Sequence, residues 1–362
     1  MARVIGIDPG TITVDVCGLD EGRVFLDRSL PTSEALADPS VVLGILEAAA
    51  PLDLVAGPSG YGLPLTAVRD LTEADLRLAY LPDDSGADGI RGLRTLVRAL
   101  ARSSVPVVLT PGVVHLPSVP AHRKVNRVDM GTADKVCAVA LAIHDQAERR
   151  ACQARDVSFV LLELGGAFTA AVAVEHGRIV DGFGGTSGPL GLRAAGALDG
   201  EVAFLAGTVT KRHLFSGGAA SIAGAPDATA ESLAAPSTVQ GRIAWGAYLE
   251  TAIKAVAALA VSAPKASEVI LSGRVASIDS VRDELGRRLA SALPRATVHT
   301  LVGLGGTSKQ GAQGAAVIAD GLAGGRFAPI VDALGIRDAC GTVLDHLYVI
   351  SPDEARKRLG PS

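Results

Sequence analysis

The sequence predicts an α/β protein of two duplicated domains, each a mixed sheet with helices, facing one another across a cleft. Three observations carry this. The first is residues 4–19, VIGIDPGTITVDVCGL, in which an apolar, β-branched run ends at Asp8 and a Pro-Gly turn follows. Thr11, Ile12, Thr13, Val14 and Val16 then suit a pleated strand, where a dinucleotide fold would place a helix. The second is a repeat. Residues 160–179, VLLELGGAFTAAVAVEHGRI, lie on residues 5–24 without a gap, so that Glu163 falls on Asp8, Gly165 on Gly10, Gly177 on Gly22 and Arg178 on Arg23. The third is that strand and helix signals alternate through the remainder. Two hairpins of this kind, brought face to face, would clamp a polyphosphate and its cation.

In chain order, Asp38-Pro39 starts a helix over residues 41–50, with Asp38 as its cap. Residues 52–57 read as a buried strand. Thr72-Glu73-Ala74-Asp75 reads as a capping box with Asp in place of Glu. A helix over 89–102 puts Leu93, Leu96, Val97 and Leu100 on one face, and 105–109 is a strand. Residues 111–128 are irregular and basic. Asp129 then opens a long apolar helix to about residue 151 that joins the halves. The second half starts with its hairpin, followed by a glycine-rich stretch, residues 182–201, too long for a turn and read as functional. A helix over 239–261 turns Trp245, Leu249 and Ile253 inward, 268–271 is a strand running into Ser272-Gly273-Arg274, 278–293 a helix and 298–302 a strand. Residues 303–322 form a glycine loop feeding a small-residue helix, and the tail from 326 folds back. The domains are therefore expected at 1–155 and 156–325, with 326–362 packed against them.

Apolar residues make up 48% and charged residues 20%, and the net charge of −4 leaves no basic field for nucleic acid. Cys17, Cys137, Cys152 and Cys340 show no CxxC spacing and read as free thiols in a reducing compartment. The start is no signal peptide and no uncharged run reaches the length of a membrane span, so a cytoplasmic protein without a membrane partner is expected.

The repeated hairpin, the joining helix, the late strand with its Gly turn and the closing small-residue helix together resemble the actin-like ATPase superfamily of acetate and sugar kinases, heat-shock chaperones and actin. The resemblance implies two actin-like, ribonuclease H-like domains around an ATP cleft. Within that group the GG…GR…D pattern of residues 164–181 and the segment GTSGPLGLRAAGALDG look most like butyrate and acetate kinases, and like an uncharacterised family of predicted butyrate kinases. Glu163 departs from the His or Asp of those motifs, and Arg274 replaces the second glycine of the adenosine motif. The implied ligands are ATP and Mg²⁺, with a small-molecule substrate; a homodimer stays open. Asp8 and Glu163 would hold the metal through water. Gly10, Thr11, Gly165 and Gly166 would meet the phosphates, and Gly273, Arg274, Gly305 and Gly306 the nucleoside. A carboxylate acceptor needs cations rather than a base, and Arg193, Arg123, Lys124 and Arg127 are the candidates. An alcohol acceptor needs a base, for which Asp129 stands at the mouth of the joining helix. Each has a structural alternative: Asp129 as a helix cap, the basic loop as a solvated surface, Arg193 as an anchor for its own loop against Asp199 or Glu201. An ATP-driven conformational switch or metabolite sensor is the competing function.

Overall fold

Both hairpins form, and their registers coincide residue for residue. The computed structural model describes residues 2–58, 60–81 and 88–360. The first sheet contains β1 (Arg3–Pro9), β2 (Thr13–Asp20), β3 (Arg23–Pro31), β4 (Leu54–Pro58), β5 (Thr66–Ala67) and β6 (Val107–Thr110), in the order β3-β2-β1-β4-β6-β5. The second contains β7 (Phe159–Leu164), β8 (Thr169–Glu175), β9 (Arg178–Phe183), β10 (Glu268–Ser272) and β11 (Thr297–Thr300), in the order β11-β10-β7-β8-β9. Apart from the short edge strand β5, the two orders superpose, with the antiparallel meander on one side and two parallel strands on the other. Asp8 pairs with Asp15 and Glu163 with Ala170. The register shift falls between Gly18 and Leu19 in one meander, and between the corresponding Ala173 and Val174 in the other. Even the turns match, Glu21-Gly22 at φ 52° and 74° against His176-Gly177 at 51° and 70°. These are left-handed pairs, the backbone that suits a two-residue hairpin between twisted strands.

The joining helix, Ala133–Arg150, starts at a Thr132 N-cap rather than at Asp129. It packs against the closing helix, Gln310–Leu322, which in turn covers β1, β2 and β4 of the first sheet. The sequence groups this closing helix with the second half; its packing is on the first. Its small residues allow that. A Cβ on Gly314 would lie 1.8 Å from the Cys137 carbonyl oxygen, and one on Gly6 would lie 2.1 Å from the Ala316 nitrogen. Only glycine permits backbones this close.

The capping box at Thr72 and Asp75 is present in both directions, at 3.2 and 2.9 Å. Asp38 accepts from the Ser40 N–H at 3.0 Å, ahead of the helix Ser40–Ala48. The helix Val239–Ser262 has the length and apolarity of a membrane span, but it buries Trp245, Tyr248, Leu249, Ala252 and Val256 in the core beside β7, β8 and β9. Residues 200–238, to which the sequence assigns no helix or strand, carry the short helices Gly200–Ala206, Lys211–Leu214, Ala219–Ile222 and Ala230–Ala234. Segments this short show no readable periodicity. In the tail, the helix Ala328–Leu334 lays Ile330, Val331 and Leu334 into the core around the joining helix. Of the cysteines, Cys17 and Cys137 are buried and Cys340 is exposed, all unpaired.

Candidate active site

Two hairpin tips meet at the cleft. A Cβ on Gly166 would sit 3.5 Å from Ile12 Cδ1, so the first and second turns touch. Gly10 and Gly165, expected to donate to phosphates, spend their N–H groups on closing their own turns. Gly10 donates to the Asp8 and Thr13 carbonyls, each at 3.0 Å, and Gly165 to the Phe168 carbonyl at 2.9 Å. A tight hairpin must satisfy these inner donors itself. One position further along each turn, Thr11 N–H and Gly166 N–H make no hydrogen bond among the described residues, and Thr11 is exposed.

Below the tips lies a floor of charge. Asp8 ends β1 nearly buried, its carboxylate against Gly311 of the closing helix, where a Cβ would meet it at 2.6 Å. Burial, then the charge of Asp134, pushes the Asp8 carboxyl up to about 7 against the pull of Lys309 and Lys135. Lys135 donates to Asp134 and to Glu163, both at 2.6 Å. Burial alone would lower the Lys135 ammonium; the two carboxylates lift it well above the usual range. Glu163 is raised by burial, with Lys135 drawing it back. Asp134 is held below the usual range: the charge and hydrogen bonds of Lys135, with the Thr132 hydroxyl, outweigh its burial. Glu163, expected to share a metal with Asp8, is thus already paired to an ammonium.

Lys309 faces the first tip. Its Nζ donates to the Thr13 carbonyl at 2.7 Å and lies 3.1 Å from Asp15 Oδ2, and a Cβ on Gly10 would come within 2.2 Å of it. The glycine loop before the closing helix is tied to the same sheet. Asp27 of β3 accepts from Thr307 N–H and hydroxyl at 2.5 and 2.9 Å and from Ser308 N–H at 2.8 Å. Burial would raise that carboxyl; these donors bring it down to about 2. Gly306 (φ 95°) lies over Asp27, where a Cβ would meet the carboxylate at 2.6 Å, while Gly305 (φ 91°) has open space. Gly273 (φ 87°) packs on the Leu164 carbonyl and donates to Gln310 Oε1 at 2.9 Å, and Arg274 is exposed at the start of its turn.

The candidates for acceptor chemistry lie elsewhere. Asp129 does not cap the joining helix, whose N-cap is Thr132. The Asp129 carboxylate accepts from Gly131 N–H at 3.2 Å and from Thr186 N–H and hydroxyl at 2.9 Å each, stapling the glycine-rich stretch to the segment that precedes the joining helix. Arg193 gives its guanidinium to the Pro226 and Ala228 carbonyls, anchoring its loop, though not through Asp199 or Glu201. Arg123 donates to the Val180 carbonyl at 2.8 Å, Arg127 to the Gly182 carbonyl at 2.8 Å, and buried Lys124 to the Leu116 carbonyl at 3.1 Å. A buried carbonyl row needs donors, and these cations supply them.

Asp134, Lys135 and Lys309 were not singled out by sequence reasoning. A signal existed: a lysine in the first turn of a helix opposes the helix dipole and therefore calls for a carboxylate partner. Among the described residues no three His, Cys, Asp or Glu side chains converge to hold a metal directly. The raised Asp8 carboxyl beside Asp134 nevertheless fits a cation held through water, since added positive charge there relieves the excess of negative charge.

Residues 6–349 match the family described as a protein of unknown function (DUF1464). No curated protein matches the sequence. In structure the chain is similar to a propionate kinase from Francisella tularensis subsp. tularensis SCHU S4, with a TM-score of 0.62 at 14% identity, covering 87% of this chain and 98% of that one. An acetate kinase from Porphyromonas gingivalis gives 0.58 at 13% identity over 87% and 98%, and one from Entamoeba histolytica 0.58 at 10% over 80% and 87%. At such identities the likeness is one of fold, two mixed α/β sheets with their helices.

Proposed function

The chain belongs to the DUF1464 family, and we propose that it is an ATP-dependent phosphotransferase that converts a short carboxylic acid to an acyl phosphate. The observation that carries this reading is the floor beneath the two touching tips, where Asp8 is pushed up to about 7 beside Asp134 while Lys135 and Lys309 stand at its edges. Phosphoryl transfer asks for held phosphates, neutralised charge and an acceptor in line, with little covalent chemistry for the protein to perform. Thr11 and Gly166 offer N–H groups at the tips, and Lys309 brings an ammonium to the first of them. Mg²⁺, when bound, would neutralise phosphate charge; Asp8 and Asp134 would hold it through water, Glu163 remaining with Lys135.

The acid acceptor is favoured by the state of Asp129, whose oxygens are committed to Gly131 and Thr186. A carboxylate needs no base. Its oxygen bonds to the γ-phosphorus, the bond from that phosphorus to the β–γ bridging oxygen breaks, and the electron pair leaves on ADP without a proton moving. Purified protein with ATP, Mg²⁺ and a panel of short acids should release ADP and yield a hydroxamate when hydroxylamine is present. ADP release that responds to alcohols and gives no hydroxamate would move the acceptor to a hydroxyl. Turnover indifferent to every acceptor would identify a conformational switch.

A further inference from the structure

A helix pair in the first half holds more positive charge than it can pair. The helices Glu73–Tyr80 and Asp88–Arg102 pack together. Between them Arg98 grips Glu73 with both prongs of its guanidinium, Nε to Oε1 at 2.9 Å and Nη2 to Oε2 at 2.7 Å. One turn away on each helix, where a second such pair would stand, Arg94 faces Arg77 instead. Among the described residues no carboxylate forms an ion pair with either. Arg94 Nε and Nη2 and Arg77 Nη1 are buried and make no hydrogen bond. Buried guanidinium N–H groups are costly without acceptors, and like charge adds to the cost. Burial, then the charge of Arg98, holds the Arg94 guanidinium below its usual range, with Arg77 pressing the same way and Glu73 opposing. Arg77 and Arg94 are half-buried as residues, and the Arg98 and Glu73 side chains are 41% and 56% exposed, so the group borders solvent.

We propose that Arg77, Arg94 and Arg98 form a binding site for the phosphoryl group of a small molecule, sharing no residue with the hairpin tips or the charged floor. Guanidinium forks match phosphate oxygens two at a time. Three of them against one carboxylate leave a surplus that a dianion balances. The site also has a line to the cleft. The Ala79 carbonyl, at the end of the first helix of the pair, accepts from Tyr61 N–H at 2.9 Å, and a Cβ on Gly60 would meet the Tyr80 ring at 3.0 Å. The Gly60 carbonyl in turn accepts from Ala133 N–H at 2.9 Å, at the start of the joining helix and next to Asp134 and Lys135. An anion that steadies the helix pair therefore steadies the loop that holds this helix start.

The test is calorimetric titration of the full chain with inorganic phosphate and, separately, with phenyl phosphate. Arg94→Met and Arg77→Gln should each weaken binding about 10- to 100-fold, the worth of one charge-assisted hydrogen bond, and Arg94→Lys should recover part of the loss. Glu73→Gln should act in the opposite sense and tighten binding several-fold, because it frees Arg98 and removes a repelling carboxylate. Arg69→Gln, at an exposed position ahead of the pair, should leave the affinity unchanged. Without phosphate Arg94→Met should melt no lower than the parent, and added phosphate should raise the melting temperature of the parent alone. Amide exchange at Tyr61 and Ala133 should slow with phosphate in the parent and not in Arg94→Met. Tighter binding of phenyl phosphate marks an ester as the ligand, and equal binding marks phosphate itself. A parent that binds neither probe, or an Arg94→Met protein that keeps the parent affinity, overturns the site. So does an affinity that appears only after Asp83→Asn and Asp84→Asn, in the sequence between the two helices, since the chain's own carboxylates would then fill the place.

Discussion

The two hairpins share a backbone and differ in how their carboxylates are neutralised. In the second, the residue across from Glu163 is Ala170, and Glu163 takes the Lys135 ammonium directly at 2.6 Å. In the first, the residue across from Asp8 is Asp15, and it is Asp15, buried, that takes Lys309 through Nζ at 3.1 Å and N–H at 3.2 Å. Asp8 is left without an ammonium of its own and is pushed up to about 7. Each lysine stands at the start of one of the two helices that cross between halves. The difference teaches that a duplicated fold can keep its geometry while one copy becomes internally neutralised and the other is left to accept an external cation.

The most severe way to break the contrast is to remove the internal cation. Lys135→Met leaves Asp134 and Glu163 side by side without compensation, and unfolding in urea should show a loss of about 3 kcal/mol. Adding Glu163→Gln should restore part of it. An unchanged urea midpoint would show that the second hairpin is not neutralised by Lys135.

Asp8→Asn should act in the opposite sense on stability. The Asp8 carboxyl is higher in the folded than in the unfolded protein, so its ionisation opposes folding as pH rises from about 4 towards 7. Without metal or nucleotide, the variant should therefore exceed the parent at pH 8 by on the order of 2 kcal/mol, with the gap closing below about pH 4. Phosphoryl transfer by the same variant should fall by about 100-fold or more. A variant less stable than the parent at pH 8 would refute the account of Asp8.

Asp27→Ala tests the anchor of the glycine loop, at a cost of about 1–2 kcal/mol from the lost Thr307 and Ser308 bonds. The Asp27 carboxyl is depressed to about 2, so its contribution is full above about pH 4 and disappears as pH falls through 2. Acid titration of the parent–variant difference should follow that course, and the KM for ATP should rise several-fold at neutral pH. The smallest effect is expected at Arg193. Since its guanidinium serves the Pro226 and Ala228 carbonyls, Arg193→Ala should cost about 1 kcal/mol and change acyl-phosphate turnover by less than about tenfold. A loss of orders of magnitude would return Arg193 to the acceptor.

What the sequence determined by itself is local or periodic. The gapless repeat, the Pro-Gly and Gly-Arg turns, the Thr72 capping box and the small-residue closing helix are written in neighbouring residues, because strand alternation, left-handed turns and caps depend on positions a few apart. It also located the two strand-end carboxylates, Asp8 and Glu163. The tertiary structure decided which charges meet them. Lys135 and Lys309 reach the hairpins only because the crossing helices carry them there, Lys309 from nearly the whole chain length away. The same holds for the committed groups. Asp129 and Arg193 look like free chemistry in one dimension; in the fold the buried Asp129 carboxylate accepts from Thr186, because burial makes an unpartnered polar group costly, and Arg193 reaches the Pro226 carbonyl of a loop that only the tertiary structure brings beside it.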